Sequence, residues 1–308
     1  MSAASLSGWD MSEWTIWPWA AFTVAAAAAQ TVRNAAQRQL TRTLGTTGAT
    51  HVRFLFGVPF AVVFLAAIVL ATGTAPPRPP LAFWPWVTTG ALTQIAATAM
   101  MLAAMGERSF LVVIAYTKTE PIQVALFGLA VLGDPISLAV GAAIAVATTG
   151  VVTMSLRPGQ EAGGARPVAL GLGAAACFAV SAVAFRGAIL SLDAGYLTAA
   201  GTTLCIALAL QALLLSVWLA VRDRTVLVAV LRAWRPSLLA GFMGALASQL
   251  WFLGFALTTA ANVRTLALVE VLFAQGVSRF VFGQRATARE LIGVVLIVIG
   301  VVMLLWAQ

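Results

Sequence analysis

The sequence predicts an all-α membrane protein: ten transmembrane helices, arranged as two inverted five-helix repeats around a central cavity. Three observations predict it. The 308 residues are 61% hydrophobic and only 9% charged, with a mean hydropathy of +0.97. Apolar runs broken by Pro, Gly or charge divide the chain into ten stretches long enough to span a bilayer. The second half echoes the first at an offset of 150 residues. A soluble domain carries about 25% charged residues. A chain with so few cannot cover a water-facing surface, so its solvent is lipid, and this length holds about ten crossings of ~20 residues each.

The first fourteen residues, MSAASLSGWDMSEW, lack the basic region of a cleavable signal peptide, so the first helix itself is expected to direct insertion. Spans are expected at 16–37, 46–72, 83–106, 109–132, 135–156, 168–190, 195–221, 237–258, 260–282 and 287–307. TGTAPPRPP (72–80) is too rich in proline to be helical and must be a loop. Residues 157–167, RPGQEAGGARP, form the most linker-like stretch and divide the spans five and five, giving repeats over 16–156 and 168–307. Residues 222–236 read as a short interfacial helix with Arg232 and Arg235 toward the head groups. WTIWPW (14–19) and FWPW (83–86) read as aromatic belts.

Basic residues fall unequally on the two faces. Loops after the odd-numbered spans hold Arg38, Arg42, Arg108, Arg157, Arg166, Arg222, Arg224, Arg232, Arg235, Arg285 and Arg289. The other face, with both termini, has Arg78 and Arg264. The positive-inside rule then puts the odd loops in the cytoplasm and both termini outside, as in a multi-pass protein of a bacterial-type inner membrane. The net charge of +8 is spread over these short loops and forms no stripe for nucleic acid. Cys177 and Cys205 lie in apolar segments and make no disulfide framework.

Under the 150-residue offset, Glu120 aligns with Glu270, Gly133 with Gly283, and Gly150 with Gly300. Five spans is an odd number, so the halves must insert with opposite orientation. Charge agrees: the loop with Arg38 and Arg42 corresponds to one with only Asp193, and the loop with Arg78 corresponds to one with Arg222, Arg224, Arg232 and Arg235. Inverted repeats are a transporter design; the alternative is an old duplication kept for stability.

Residues 116–154, YTKTEPIQVALFGLAVLGDPISLAVGAAIAVATTGVVTM, resemble the closing unit of the drug/metabolite transporter superfamily, EamA type. The pattern is a mid-helix Glu-Pro, then Gly-acid (here Gly133-Asp134), then a helix with spaced glycines, Gly141 and Gly150. Residues 266–304 fit as well, with Val271 in place of Pro and Gln284 in place of the acid, so neither feature is essential in both halves. The resemblance implies a ten-helix transporter, most similar to YddG-type exporters of aromatic and other neutral amino acids. It implies a small-molecule substrate and no cofactor.

Glu120 and Glu270 fall near mid-membrane, where a charge costs at least ~2.5–3.5 kcal/mol, so they must face protein or water. Each could titrate, hold a substrate ammonium, or tie helices together through Arg33, Lys118, Arg186 or Arg279. Lys118 and Glu120 are two residues apart and share no helix face. Pro121 breaks the helix and frees the Thr117 carbonyl. Gln94, Thr98, Tyr116, Ser248, Gln249 and Trp251 complete the candidate substrate site, a cavity expected among spans three, four, eight and nine. Gln30, Asn34 and Ser181 also lie deep; Gly171, Gly173, Gly293 and Gly300 suit close helix packing. His51, the only histidine, is placed at the interface beside Arg53. No metal-ligand spacing, phosphate loop or dinucleotide fingerprint is present, so no metal or cofactor is expected. The reading is a secondary transporter exporting apolar or neutral amino acids by alternating access. A lipophilic-cation exporter is the rival within transport; a membrane enzyme or a channel is the rival class. Two repeats in one chain make a dimer unnecessary.

Overall fold

The computed structural model describes residues 17–107, 113, 116–155, 165–273 and 288–307. Arg108, Arg157, Arg279, Gly283, Gln284 and Arg285, the first residues of the fourth span and the last of the ninth lie outside the described residues. The described chain is helical, with no strand. In order the helices are α1 (Trp17–Leu55), α2 (Val58–Thr72), α3 (Phe83–Glu107), α4 (Glu120–Leu132), α5 (Leu138–Ser155), α6 (Ala165–Leu190), α7 (Tyr196–Arg222), α8 (Arg224–Arg232), α9 (Trp234–Leu257), α10 (Ala260–Leu266) and α11 (Ala288–Trp306). Five stretches are long and apolar enough to cross a membrane, and α4, α5 and α11 contribute shorter apolar ones. Lipid-facing positions such as Leu70, Leu126, Leu213 and Val295 are exposed, as expected where the solvent is hydrocarbon.

Three boundaries differ from the sequence reading. Arg38 and Arg42 do not lie in a loop. The helix runs on beyond residue 37 and reverses only at Gly45, whose φ of 67° is open to glycine. Nothing in residues 38–44 breaks a helix before that glycine. The reversal brings Gln37 Nε2 to the Ala49 carbonyl at 2.9 Å. The second span is interrupted at Gly57, just before Pro59. The linker ends three residues early, because Ala165–Pro167 already form the first turn of α6, where proline costs no hydrogen bond. The short helix after α7 is present as α8, capped by Asp223 Oδ1 accepting from the Val226 amide.

Small residues set the packing. A Cβ at Gly90 would stand 2.7 Å from the Phe185 ring, and one at Gly187 would stand 2.6 Å from Trp86, so α3 and α6 each seat the other's aromatic on a glycine. On α5 and α11, Gly150 abuts Gly293 and Ile297, while Gly300 abuts Ala143 and Ala147. The second set is the first shifted by 150 residues. Residue number rises along one helix as it falls along the other, so α5 and α11 cross antiparallel. Pairing of α1 with α9 likewise corresponds to that of α6 with α3.

Candidate functional site

The site is built around two interrupted helices. In the fourth span the helix gives way to a turn at Lys118–Thr119 and resumes at Glu120. In the ninth, α10 passes into a 3-10 turn at Ala267–Val269, directly before Glu270. Both breaks therefore fall just ahead of the glutamates that the repeat aligns. Pro121 sits in the first turn of α4, where its missing N–H removes no helical bond. The ninth span has Val271 there and breaks all the same, so proline is not the shared cause.

Each glutamate is bound by a cation from the opposite half. Lys118 Nζ donates to Glu270 Oε2 at 2.5 Å, and Gln30 Nε2 donates to the same oxygen at 3.2 Å. Arg264 Nε stands 3.0 Å from Glu120 Oε1, an ion pair whose N–H is not aligned for a hydrogen bond. The Arg264 guanidinium lies over Trp251, 4.6 Å from the ring centre, and over Phe255 at 5.4 Å. Trp251 Nε1 donates to Gln30 Oε1, so one chain of contacts joins both pairs. Such pairs must be close and well bonded, because removing two charges from water costs several kcal/mol per ion.

Two further guanidinium groups are buried beside them. Among the described residues Arg33, 1% exposed, bonds only the Asn34 side chain and leaves Nη1 without a partner. Arg53, also 1% exposed, donates to Thr98 Oγ1 at 3.1 Å and Ser248 Oγ at 3.4 Å, leaving Nε without one. Both stems lie against Gly244, where a Cβ would meet Arg53 Cγ at 3.0 Å and Arg33 Cδ at 3.5 Å. A cavity of about 20 Å³ remains between Gln30, Arg33, Lys118, Glu120, Arg264 and Glu270, with Met101 and Phe178 as its apolar wall. That is room for about one water.

Residues 165–306 match the EamA-like transporter family. The match begins at α6 and ends in α11, and it supports a place in the drug/metabolite transporter superfamily. The match to part of the chain, together with several helices long and apolar enough to cross a bilayer, supports a multi-pass membrane protein. Twenty-seven chains of solved structures are similar to it. One, titled only "Crystal structure of protein", is 17% identical with a TM-score of 0.65, over 92% of this chain and 95% of its own. At that identity the likeness is one of fold. No curated protein matches the chain.

Of the candidate residues, Lys118, Glu120 and Glu270 line the cavity, while Trp251 supports it through Gln30 and Arg264. Thr98 and Ser248 hold Arg53. Gln94 accepts from Gln211 Nε2 at 2.9 Å and ties α3 to α7. Tyr116 packs on Gly171, and Gln249 is buried with neither amide atom bonded. The described lining comes from spans one, three, four, six and nine, so spans one and six take the place expected of span eight. Arg264 is no loop residue: it is inside α10 and 7% exposed. His51 is not interfacial, being fully buried with Nε2 3.0 Å from Ser216 Oγ. Arg186 does not reach either glutamate; it holds Asp134 through two 3.2 Å contacts and donates to the Phe255 and Thr258 carbonyls. The sequence marks Arg53 only as the neighbour of His51; its burial depends on how α1 meets α3 and α9.

Proposed function

We propose that the EamA-like chain is a secondary transporter that exports small metabolites of the aromatic or apolar amino-acid type by alternating access. The observation that carries this reading is the reciprocal cross-pairing of Lys118 with Glu270 and Arg264 with Glu120 around one cavity. Each pair links a broken helix of one half to that of the other. Such pairs can part and re-form as the halves rock, opening the cavity to one face at a time. A substrate carboxylate suits Arg33, and an apolar side chain suits Met101 and Phe178. The two halves, 16–156 and 168–307, act as inverted repeats in an inner membrane with both termini outside, and one chain suffices. A lipophilic cation is the weaker reading, since it would enter beside Arg33 and Arg264.

Purified protein in liposomes should take up radiolabelled phenylalanine or leucine saturably, with trans-stimulation by unlabelled substrate. Ion conductance without saturation would make it a channel; no uptake of phenylalanine or leucine above empty liposomes would remove the amino-acid reading, and no uptake of these or of apolar carboxylates would remove the carrier reading.

A further inference from the structure

The site has more positive charge than its own acids can balance. Arg33, Arg53, Lys118 and Arg264 are all under 8% exposed. Against them, among the described residues, stand only Glu120 and Glu270. The other acids whose side chains are described are engaged elsewhere or lie at the surface: Glu107 with Arg166, Asp134 with Arg186, Asp223 as a helix cap, and Asp193 exposed. Among the described side chains, two positive charges are therefore left over. Omitting Lys118 still leaves three guanidinium groups against two carboxylates, and arginine does not deprotonate in proteins. Protonating either glutamate only enlarges the excess. A buried unpaired charge is costly in hydrocarbon. Among the described residues, Arg33 Nη1 and Arg53 Nε are nevertheless left without acceptors.

We infer that the site is completed by the substrate's own negative charge, and that it selects organic anions: a carboxylate on an apolar body, with no ammonium required. This rests on the transporter reading and narrows its substrate class. Arg33 borders the cavity and would take the carboxylate, Arg53 adds charge from behind, and Met101 with Phe178 take the apolar end. An amino-acid zwitterion offers the same carboxylate but sets an ammonium among four cations.

Three ligands of one shape separate these cases: 3-phenylpropionate, phenylalanine and phenethylammonium. Their binding to the full chain in nanodiscs can be followed by tryptophan fluorescence, with Trp251 as the nearby reporter. The anion should bind at least tenfold tighter than the zwitterion, and the cation weakest. Arg33→Gln should weaken phenylpropionate at least tenfold, and Arg33→Lys should recover part of that loss. Phenylalanine binding as well as phenylpropionate, or no binding by any of the three, overturns the inference. Neither result touches the carrier reading, which the liposome flux decides separately. If Arg33→Gln does not fold, the ligand order on the unaltered chain still decides.

Discussion

At Glu270 two donors, Lys118 and Gln30, converge on one carboxylate oxygen. Removing one partner of a buried pair leaves the other charge uncompensated, a loss of about 3–5 kcal/mol. Glu270→Gln should therefore lower the unfolding temperature in detergent clearly, and Lys118→Met with Glu270→Gln should restore more than half of the fall. Glu120→Gln should cost less, because Arg264 keeps the faces of Trp251 and Phe255. Equal losses in both single variants would show that the aromatic faces do not hold Arg264. The sequence marked both glutamates as costly in lipid, and it ruled out a local Lys118–Glu120 pair. It gave no means of choosing Arg264 as partner, since a basic residue early in a span looks like a loop residue until the helix is packed.

Among the elements, the interrupted spans carry the most information. Pro121 explains why a break is tolerated in the fourth span, but the ninth span breaks without proline. Pro121→Ala should therefore leave the break in place and change stability by less than about 1 kcal/mol. Flux falling tenfold with stability intact would show that the proline itself sets the site. The crossing of α5 and α11 behaves differently. A Cβ at Gly300 would fall 2.6 Å from Ala147, with backbone close behind it. Gly300→Val should cost about 1–3 kcal/mol by overpacking, and Gly150→Val a similar amount, both read as lowered unfolding temperature. Spaced glycines were legible in the sequence as close-packing positions. Their partners became visible only when α5 lay against α11.

For the whole molecule, ion pairs tie the helix ends on both faces. Arg186 binds Asp134 and the carbonyls of Phe255 and Thr258, joining α4, α6 and α9 on the face of the α1 N-terminus. Arg166 pairs with Glu107 at 2.7 Å across the opposite face, joining α3 and α6. The Arg186 cluster is largely buried and the Arg166 pair is exposed, so the first should hold more firmly. Asp134→Asn should then raise amide exchange at residues 133–137 and 258–259, whereas Glu107→Gln should change exchange little. The reverse pattern would contradict this ranking. A reporter fused after Gln308 should be active outside the cytoplasm; cytoplasmic activity would invert the proposed topology.

Composition and spacing alone pointed to lipid as the solvent and led to the expected spans, the 150-residue repeat and the two acids expected near mid-membrane, because each is read from local hydropathy or from self-similarity along the chain. Packing decided the rest. Arg33 and Arg53 share Gly244 only because the chain doubles back at Gly45. Each glutamate finds its cation about 150 residues away, across the two halves. Hydropathy shows that a charge must be buried with something, but the identity of that something depends on which helix faces meet.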